Sequence, residues 1–303
     1  MPKNEMKETQ ECSGSCDSCG TSGCDAIEKK PGESDEDYLK RQKMAIRMNS
    51  IKHKIVVLSG KGGVGKSTVA VNIAVALSLA GKKVGLLDVD IHGPSIPTML
   101  NIADAGVTSD GENLNPVEIG SLKVMSVGLL LENRDSAVIW RGPMKMSVIE
   151  QLLRDVNWGQ LDYLIIDSPP GTGDEPLSVV QLTGTMDGAV MVTTPQKVAG
   201  ADVRKSFNFC AQLNLHVLGI VENMSSFICP DCGSEHRIFA GNNGREMAEA
   251  YGVPFLGSIP IDPNVGTACD DGTPFVYHYG KTETGKRFEK LIEPLLTLQK
   301  KEK

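Results

Sequence analysis

Gly60-Lys61-Gly62-Gly63-Val64-Gly65-Lys66-Ser67 is the stretch from which the fold can be read. A β-branched run over 55–58 precedes it and predicts a strand. Apolar residues at helical spacing over 67–79 follow it and predict a helix. A glycine-rich loop closed by Lys-Ser, between a strand and a helix, is the Walker A pattern in the context it requires. The glycines let backbone N–H groups turn inward around phosphate oxygens, and the helix N-terminus adds partial positive charge. Lys66 is expected to reach the β- and γ-phosphates, Ser67 to hold Mg²⁺, and Thr68 to lie beside the α-phosphate.

Outward from this loop, apolar runs alternate with amphipathic stretches. Strands are predicted over 83–87, 124–127, 163–166, 189–192, 217–221 and 255–259, and helices over 144–156, 198–213 and 285–300. Such alternation predicts an α/β protein of the P-loop kind, a doubly wound, mostly parallel sheet flanked by helices. Residues 1–37 are polar and rich in Ser, Gly, Cys and charge, a composition that cannot pack a core unaided. A short helix is expected over 34–49, acidic early and basic late as the helix dipole favours. The expected division is an irregular Cys-rich arm with a linker helix over 1–50, then an ATPase domain over 51–303.

The 303 residues are 40% hydrophobic and 23% charged, a globular composition with net charge −7 that argues against a large nucleic-acid footprint. No stretch approaches the roughly 18–20 apolar residues needed to span a bilayer. The first ten residues lack an apolar signal core. A cytoplasmic protein with no membrane or nucleic-acid partner is therefore expected.

Two predicted strands end in acids. Leu86-Leu87-Asp88-Val89-Asp90 closes one, with Asp88 expected to be structural and Asp90 to lie at the phosphate end. Tyr163-Leu164-Ile165-Ile166-Asp167 closes another, where ligands bind in open α/β sheets, and Asp167 is expected to bind Mg²⁺ through water. The loop Ser168-Pro169-Pro170-Gly171-Thr172-Gly173-Asp174 follows, with glycines that could let backbone sense a γ-phosphate. Later, Asn223 and the segment Ile259-Pro260-Ile261-Asp262 sit at strand ends, where ordinary turn chemistry is one reading.

Lys61 is an extra lysine inside the loop, and Lys-Gly-Gly-Val-Gly-Lys-Ser-Thr is the deviant Walker A motif. Here the chain resembles the ATPase superfamily of the nitrogenase iron protein and the Min and Par positioning ATPases. The resemblance implies a homodimer in which Lys61 reaches the partner's ATP as an arginine finger does. It further implies that Asp90 positions the attacking water near Mg²⁺ and that Asn223, Pro260 and Asp262 hold adenine. No Asn-Lys-x-Asp guanine motif is present, which favours ATP over GTP.

Six of the eight cysteines fall in two clusters, which in a reducing cytosol read as metal ligands before disulfides. Cys229-Pro230-Asp231-Cys232 is a CxxC knuckle that supplies only two of the four ligands a tetrahedral Zn²⁺ or a [4Fe–4S] cluster needs. A twofold dimer would complete four thiolates on its axis. Sulfur ligation suits either metal, and a redox dithiol is a third reading. Cys12, Cys16, Cys19 and Cys24, with three, two and four residues between them, could wrap a cluster or Zn²⁺ within one chain. Cys210, in an apolar helical pattern, is expected in the core. The five histidines show no ligand spacing.

The knuckle, the segment Asp90-Ile91-His92-Gly93-Pro94-Ser95, Trp140-Arg141-Gly142-Pro143-Met144 and the Asp167 loop together resemble the Mrp (ApbC) family of iron–sulfur carrier ATPases. The resemblance runs from about residue 52 to 298. It implies a [4Fe–4S] cluster bridged by Cys229 and Cys232 of two subunits and passed to apo iron–sulfur proteins. The N-terminal cysteines resemble those of the cytosolic nucleotide-binding scaffold branch, with a shorter spacing before Cys16, and imply a second cluster. A Min/Par-type switch with a structural zinc knuckle is the alternative, and an electron donor like the nitrogenase iron protein a third reading.

Overall fold

The computed structural model describes residues 29–131, 142–197, 199–229 and 231–299. Helix α1 (Asp35–Asn49) begins at Ser34, whose side chain accepts from the Asp37 amide, and carries Asp35, Glu36 and Asp37 in its first turn. Then come β1 (Ile51–Leu58), α2 (Lys66–Leu79), β2 (Val84–Asp88) and the single-turn α3 (Ile96–Met99). The short strands β3 (Thr108–Ser109), β4 (Leu114–Asn115) and β5 (Val117–Ile119) lead into β6 (Leu122–Ser126). Next are α4 (Gly142–Arg154), β7 (Leu161–Asp167), α5 (Asp174–Thr183), β8 (Gly188–Thr193), α6 (Ala199–Gln212) and β9 (Val217–Ile228). The chain closes with β10 (Glu235–His236), α7 (Asn243–Tyr251), β11 (Phe255–Ile261), α8 (Pro263–Asp270), α9 (Phe275–Tyr279) and α10 (Glu283–Leu296).

One sheet runs β10-β9-β8-β1-β7-β2-β6-β5, with β11 also on β9. Its pairings are parallel except β5–β6 and β10–β9. This is the doubly wound sheet that the alternating pattern predicts. Both faces are dry, so the central strands read as unbroken apolar runs. Ile55, Val57, Tyr163 and Ile165 join one core with α2, α9 and α10, through residues such as Ile73, Phe275 and Leu291. Val56, Leu58, Leu164 and Ile166 join the other with α1, α4 and α6, through Met48, Leu152 and Phe207. Helix α1 is thus docked on the domain by Met44 and Met48. Beneath it the buried Lys54 donates to the Met48 and Ile51 carbonyls, a cation at the helix C-terminus.

Register places the site. Val57 of β1 pairs with Asp167 of β7, and Asp167 pairs on its other side with Asp88 of β2. The C-terminal ends of the central strands therefore bring the Walker loop and both acids to one edge, as open α/β sheets do.

Leu164 is fully buried in the middle of this sheet. Leu164→Ala should lower the unfolding free energy by roughly 2–5 kcal/mol through lost burial and a residual cavity, read from urea unfolding of the ligand-free protein.

Candidate nucleotide site and cysteine knuckle

Residues 60–65 turn the chain from β1 into α2. Gly65 occupies the N-cap in the left-handed region, with φ 78° and no side-chain cap, so the first-turn amides of α2 stay open to a ligand. A Cβ at Gly65 would meet the Asn223 amide, and one at Gly60 would meet the Asp202 backbone. Asn223 Nδ2 donates to the Val64 carbonyl at 2.9 Å and fixes the loop from β9. The Gly171 amide donates to the Ser59 carbonyl at 2.8 Å, which docks the loop after β7 beside it. The cavity enclosed has a volume of about 220 Å³.

Lys61, Gly62, Gly63, Val64, Gly65, Lys66, Ser67, Thr68 and Asp90 line it. Gly60 stands behind the loop against α6, and Asp167 lies beneath Lys66 and Ser67. Ser95, Met99 and Pro170 also line it. The first and last fall within motifs quoted above, whereas Met99 carries no signal in the sequence.

The charges interlock. Lys66 Nζ donates to Asp167 Oδ1 and Ser67 Oγ to Asp167 Oδ2, each at 2.5 Å. Burial pushes the Asp167 carboxyl up, and the Lys66 cation opposes that shift. Asp88, fully buried, accepts from the Asp90 amide at 3.0 Å and from Ser126 Oγ at 2.9 Å. Burial, reinforced by the Asp167 charge, pushes Asp88 up to about 8. Asp90 accepts from the Gly93 amide at 3.3 Å. Lys61 Nζ reaches Gln196 Oε1 at 3.2 Å, within its own chain. Ser168 Oγ, next in sequence to Asp167, is buried without a partner among the described residues.

Asn223, Pro260 and Asp262 do not line the cavity. The Asn223 amide is spent on Val64, and Pro260 is buried at the end of β11. The Asp262 carboxylate caps α8 through the Asn264 amide at 2.9 Å and accepts from Thr284 Oγ1 at 2.7 Å.

The knuckle stands at the far end of β9. This strand continues past Glu222, which accepts from the Gly244 amide, to Ile228. Met224 interrupts it in the left-handed region, with φ 56°. Opposite, β11 advances only from Ile259 to Ile261 while β9 advances from Asn223 to Phe227, a bulge that bends the strand away from the loop. The Cys229 amide donates to the Ser234 carbonyl at 3.0 Å and the Gly233 amide to the Cys229 carbonyl at 2.9 Å, closing a tight turn. Glu235 anchors this hairpin, accepting from Ser226 Oγ at 2.5 Å and pairing with Arg287 of α10 at 3.4 Å. Cys229 is half-buried, Cys232 is exposed, and neither is in a disulfide. Hydrogen bonding with Ser234 holds the Cys232 thiol below its usual range. Cys210 is buried in α6, where desolvation pushes its thiol up to about 12. Among the described residues no three His, Cys, Asp or Glu side chains converge as a metal site, so one chain offers two thiolates at the knuckle. Cys12, Cys16, Cys19 and Cys24 lie outside the described residues.

Asp88 makes stability depend on pH. The folded chain holds a proton there up to about pH 8, whereas an ordinary aspartate releases it near 3.8. Between these values the folded state binds more protons than the unfolded one, so stability falls as pH rises. Thermal unfolding of the ligand-free protein should show a Tm that declines across this window. In Asp88→Asn, which keeps an acceptor for the Asp90 amide, the decline should be shallower.

Comparison with known proteins gives one answer. The ParA family model described as NUBPL iron-transfer P-loop NTPase matches residues 50–296. An iron–sulfur cluster carrier protein of Saccharolobus solfataricus is 48% identical over 258 residues, 84% of this chain and 87% of that protein. A cytosolic Fe-S cluster assembly factor Nubp2 homolog of Anopheles gambiae is 48% identical over 256 residues, 83% of this chain and 99% of that protein. A nucleotide-binding protein from Archaeoglobus fulgidus, solved in complex with ADP, superposes with TM-score 0.70 at 41% identity, covering 78% of this chain and 93% of that one. The septum site-determining protein MinD of Pyrococcus horikoshii, 23% identical with TM-score 0.59 over 81% of this chain and 96% of that one, shares the fold. The chain belongs to the NUBPL iron-transfer P-loop NTPase family.

Proposed function

We propose that the chain is an ATP-hydrolysing iron–sulfur cluster carrier that works as a homodimer in the cytoplasm. Two copies would hold a [4Fe–4S] cluster between their Cys229 and Cys232 thiolates and pass it to apo iron–sulfur proteins. The observation that carries this reading is the run of one strand, β9, from the phosphate loop to the knuckle. Its Asn223 holds Val64, and Cys229 follows its last residue. The family match and the named carriers support the same reading.

The residues present fit a nucleotide. The loop forms a cradle, the α2 amides have no side-chain cap, and Ser168 Oγ lacks a partner among the described residues. On binding, Lys66 would exchange Asp167 for phosphate oxygens. Mg²⁺, when bound, supplies positive charge to those oxygens, and Ser67 and Asp167 are the residues that would hold it, Asp167 through water. Asp90 would orient the water that attacks the γ-phosphorus as the bond to the bridging oxygen breaks, giving ADP and phosphate. Lys61 would leave Gln196 for the partner copy's phosphates, where a cation offsets developing charge. Asn223, Pro260 and Asp262 would hold adenine at the edge of the cavity, which they do not line. Cys12, Cys16, Cys19 and Cys24 would hold a second cluster in the arm of residues 1–50, ahead of the ATPase domain over 51–303. Partners are then a second copy and apo-proteins, with no nucleic acid and no membrane; no described helix is long and apolar enough to cross one.

Anaerobic iron and sulfide quantitation with Mössbauer spectra tests the reading. The wild type should carry about one [4Fe–4S] cluster per dimer that Cys229→Ala/Cys232→Ala lacks. Zinc at these cysteines would overturn it. Lys61→Ala should retain ATP binding, measured by equilibrium dialysis, while hydrolysis drops at least about 10-fold.

A further inference from the structure

Asp167 ends β7 and Asp90 lies two residues past the end of the neighbouring β2, and each opens a loop, 168–173 and 91–95. At their roots these loops are joined by the Val89 amide, which donates to the Asp167 carbonyl at 3.0 Å. Farther out, one side chain from a third element joins the loop 91–95 to the start of α5. Lys145, in the first turn of α4, has its Nζ 2.7 Å from Glu175 Oε1 and 2.7 Å from His92 Nε2. Glu175 is the second residue of α5, just past the loop after β7. His92 lies two residues beyond Asp90. An ammonium only donates, so the Nε2 it meets is an acceptor and the ring carries its proton on Nδ1.

The placement is unusual for a helix lysine. Its flanking residues Met144 and Met146 are 54% and 44% exposed, yet the Lys145 and Glu175 side chains are only 17% and 13% exposed. The helix thus turns its cation inward, into a largely dehydrated ion pair, and leaves two methionines outward. Lys145 is not among the residues lining the cavity. Among the described residues, the hydrogen bonds that hold Asp90 otherwise, through its own amide to Asp88 and from the Gly93 amide, span two and three residues and tie it to nothing across the site.

We infer that Lys145 is a positioning residue for ATP hydrolysis. It clamps the loop bearing Asp90 to the start of α5 through His92 and Glu175, and so sets where Asp90 stands relative to the phosphate end of the Walker loop. The inference rests on the reading above in which Asp90 orients the attacking water. Misplacement of a group at the reacting centre by about 1 Å can lower a rate by up to about 100-fold.

The test is steady-state hydrolysis of Mg²⁺·ATP by the full chain, with Tm and binding of a non-hydrolysable ATP analogue measured on the same samples. Lys145→Met keeps the stem and removes both bonds; its kcat should fall about 10- to 100-fold while KM and analogue affinity stay within about twofold. His92 is 57% exposed at its side chain, so His92→Leu tests the clamp without disturbing the core. It should lose a smaller part of kcat, which His92→Gln, with an acceptor oxygen, should recover. An unchanged kcat in Lys145→Met overturns the inference. So does a kcat loss accompanied by matching losses of Tm and affinity, which would make Lys145 a structural prop. Asp90→Ala separates the two levels. If it hydrolyses at the wild-type rate, the role of Asp90 fails and the inference falls with it. If it is inactive while Lys145→Met is unaffected, only the inference fails.

Discussion

The parallel pairing of Val57 with Asp167 is the constraint on which the site depends. It sets the end of β1, and hence the start of the phosphate loop, level with the acid that closes β7. A slip of one residue would turn Asp167 to the opposite face, into the apolar core that Val56 and Leu58 of β1 help to form. Asp167 is fully buried, so its carboxylate has to be satisfied by groups of the protein rather than by bulk water. Lys66 and Ser67, delivered by the first turn of α2, are what make the acid tenable there. The same register sets Asp88 against Asp167 from β2, and the proton that Asp88 keeps follows first from its burial and then from the neighbouring Asp167 charge.

Much of this is legible in the sequence because its signals are local. The strand–loop–helix context of residues 60–67 is contiguous, and the buried strands announce themselves as apolar runs. Strand β9 is only half legible. Its apolar run stops at Val221, yet the strand continues to Ile228, because Glu222 and Ser226 are satisfied inside the protein by the Gly244 amide and by Glu235. Asn223 reads as a strand-end turn residue, but its amide is committed to Val64, 159 positions away, and nothing local encodes that contact. Lys145 is equally silent, since its partners come from the loop after β2 and from the first turn of α5. Asp262 reads as a residue at a strand end and proves to cap the helix that follows.

The bend at Met224 gives β9 two separate tasks. Before it, the strand is a core element between β8 and β11, with Asn223 braced against the phosphate loop. After it, the strand keeps one further pairing with β11, at Phe227, and presents the cysteine turn on a short hairpin, steadied by Glu235 and Arg287. A non-glycine residue in the left-handed region is held only where its surroundings over-determine it. Here they do, through the Asn223 bond on one side and the Ser225 hydroxyl, which donates to the Ile259 carbonyl, on the other.

The Lys66–Asp167 contact also sets what the pocket will accept. An anion that draws Lys66 toward itself takes from Asp167 the one ammonium paired with it among the described residues, and weakens the counter-charge of a buried carboxylate. A cation entering alone meets Lys66 already in place and is repelled. A ligand that arrives as an anion and a cation together meets neither obstacle, because each half relieves the partner the other displaces. The pocket is therefore a filter for neutralised pairs, and its selectivity is written in the Lys66–Asp167 ion pair that a bound ligand must dissolve.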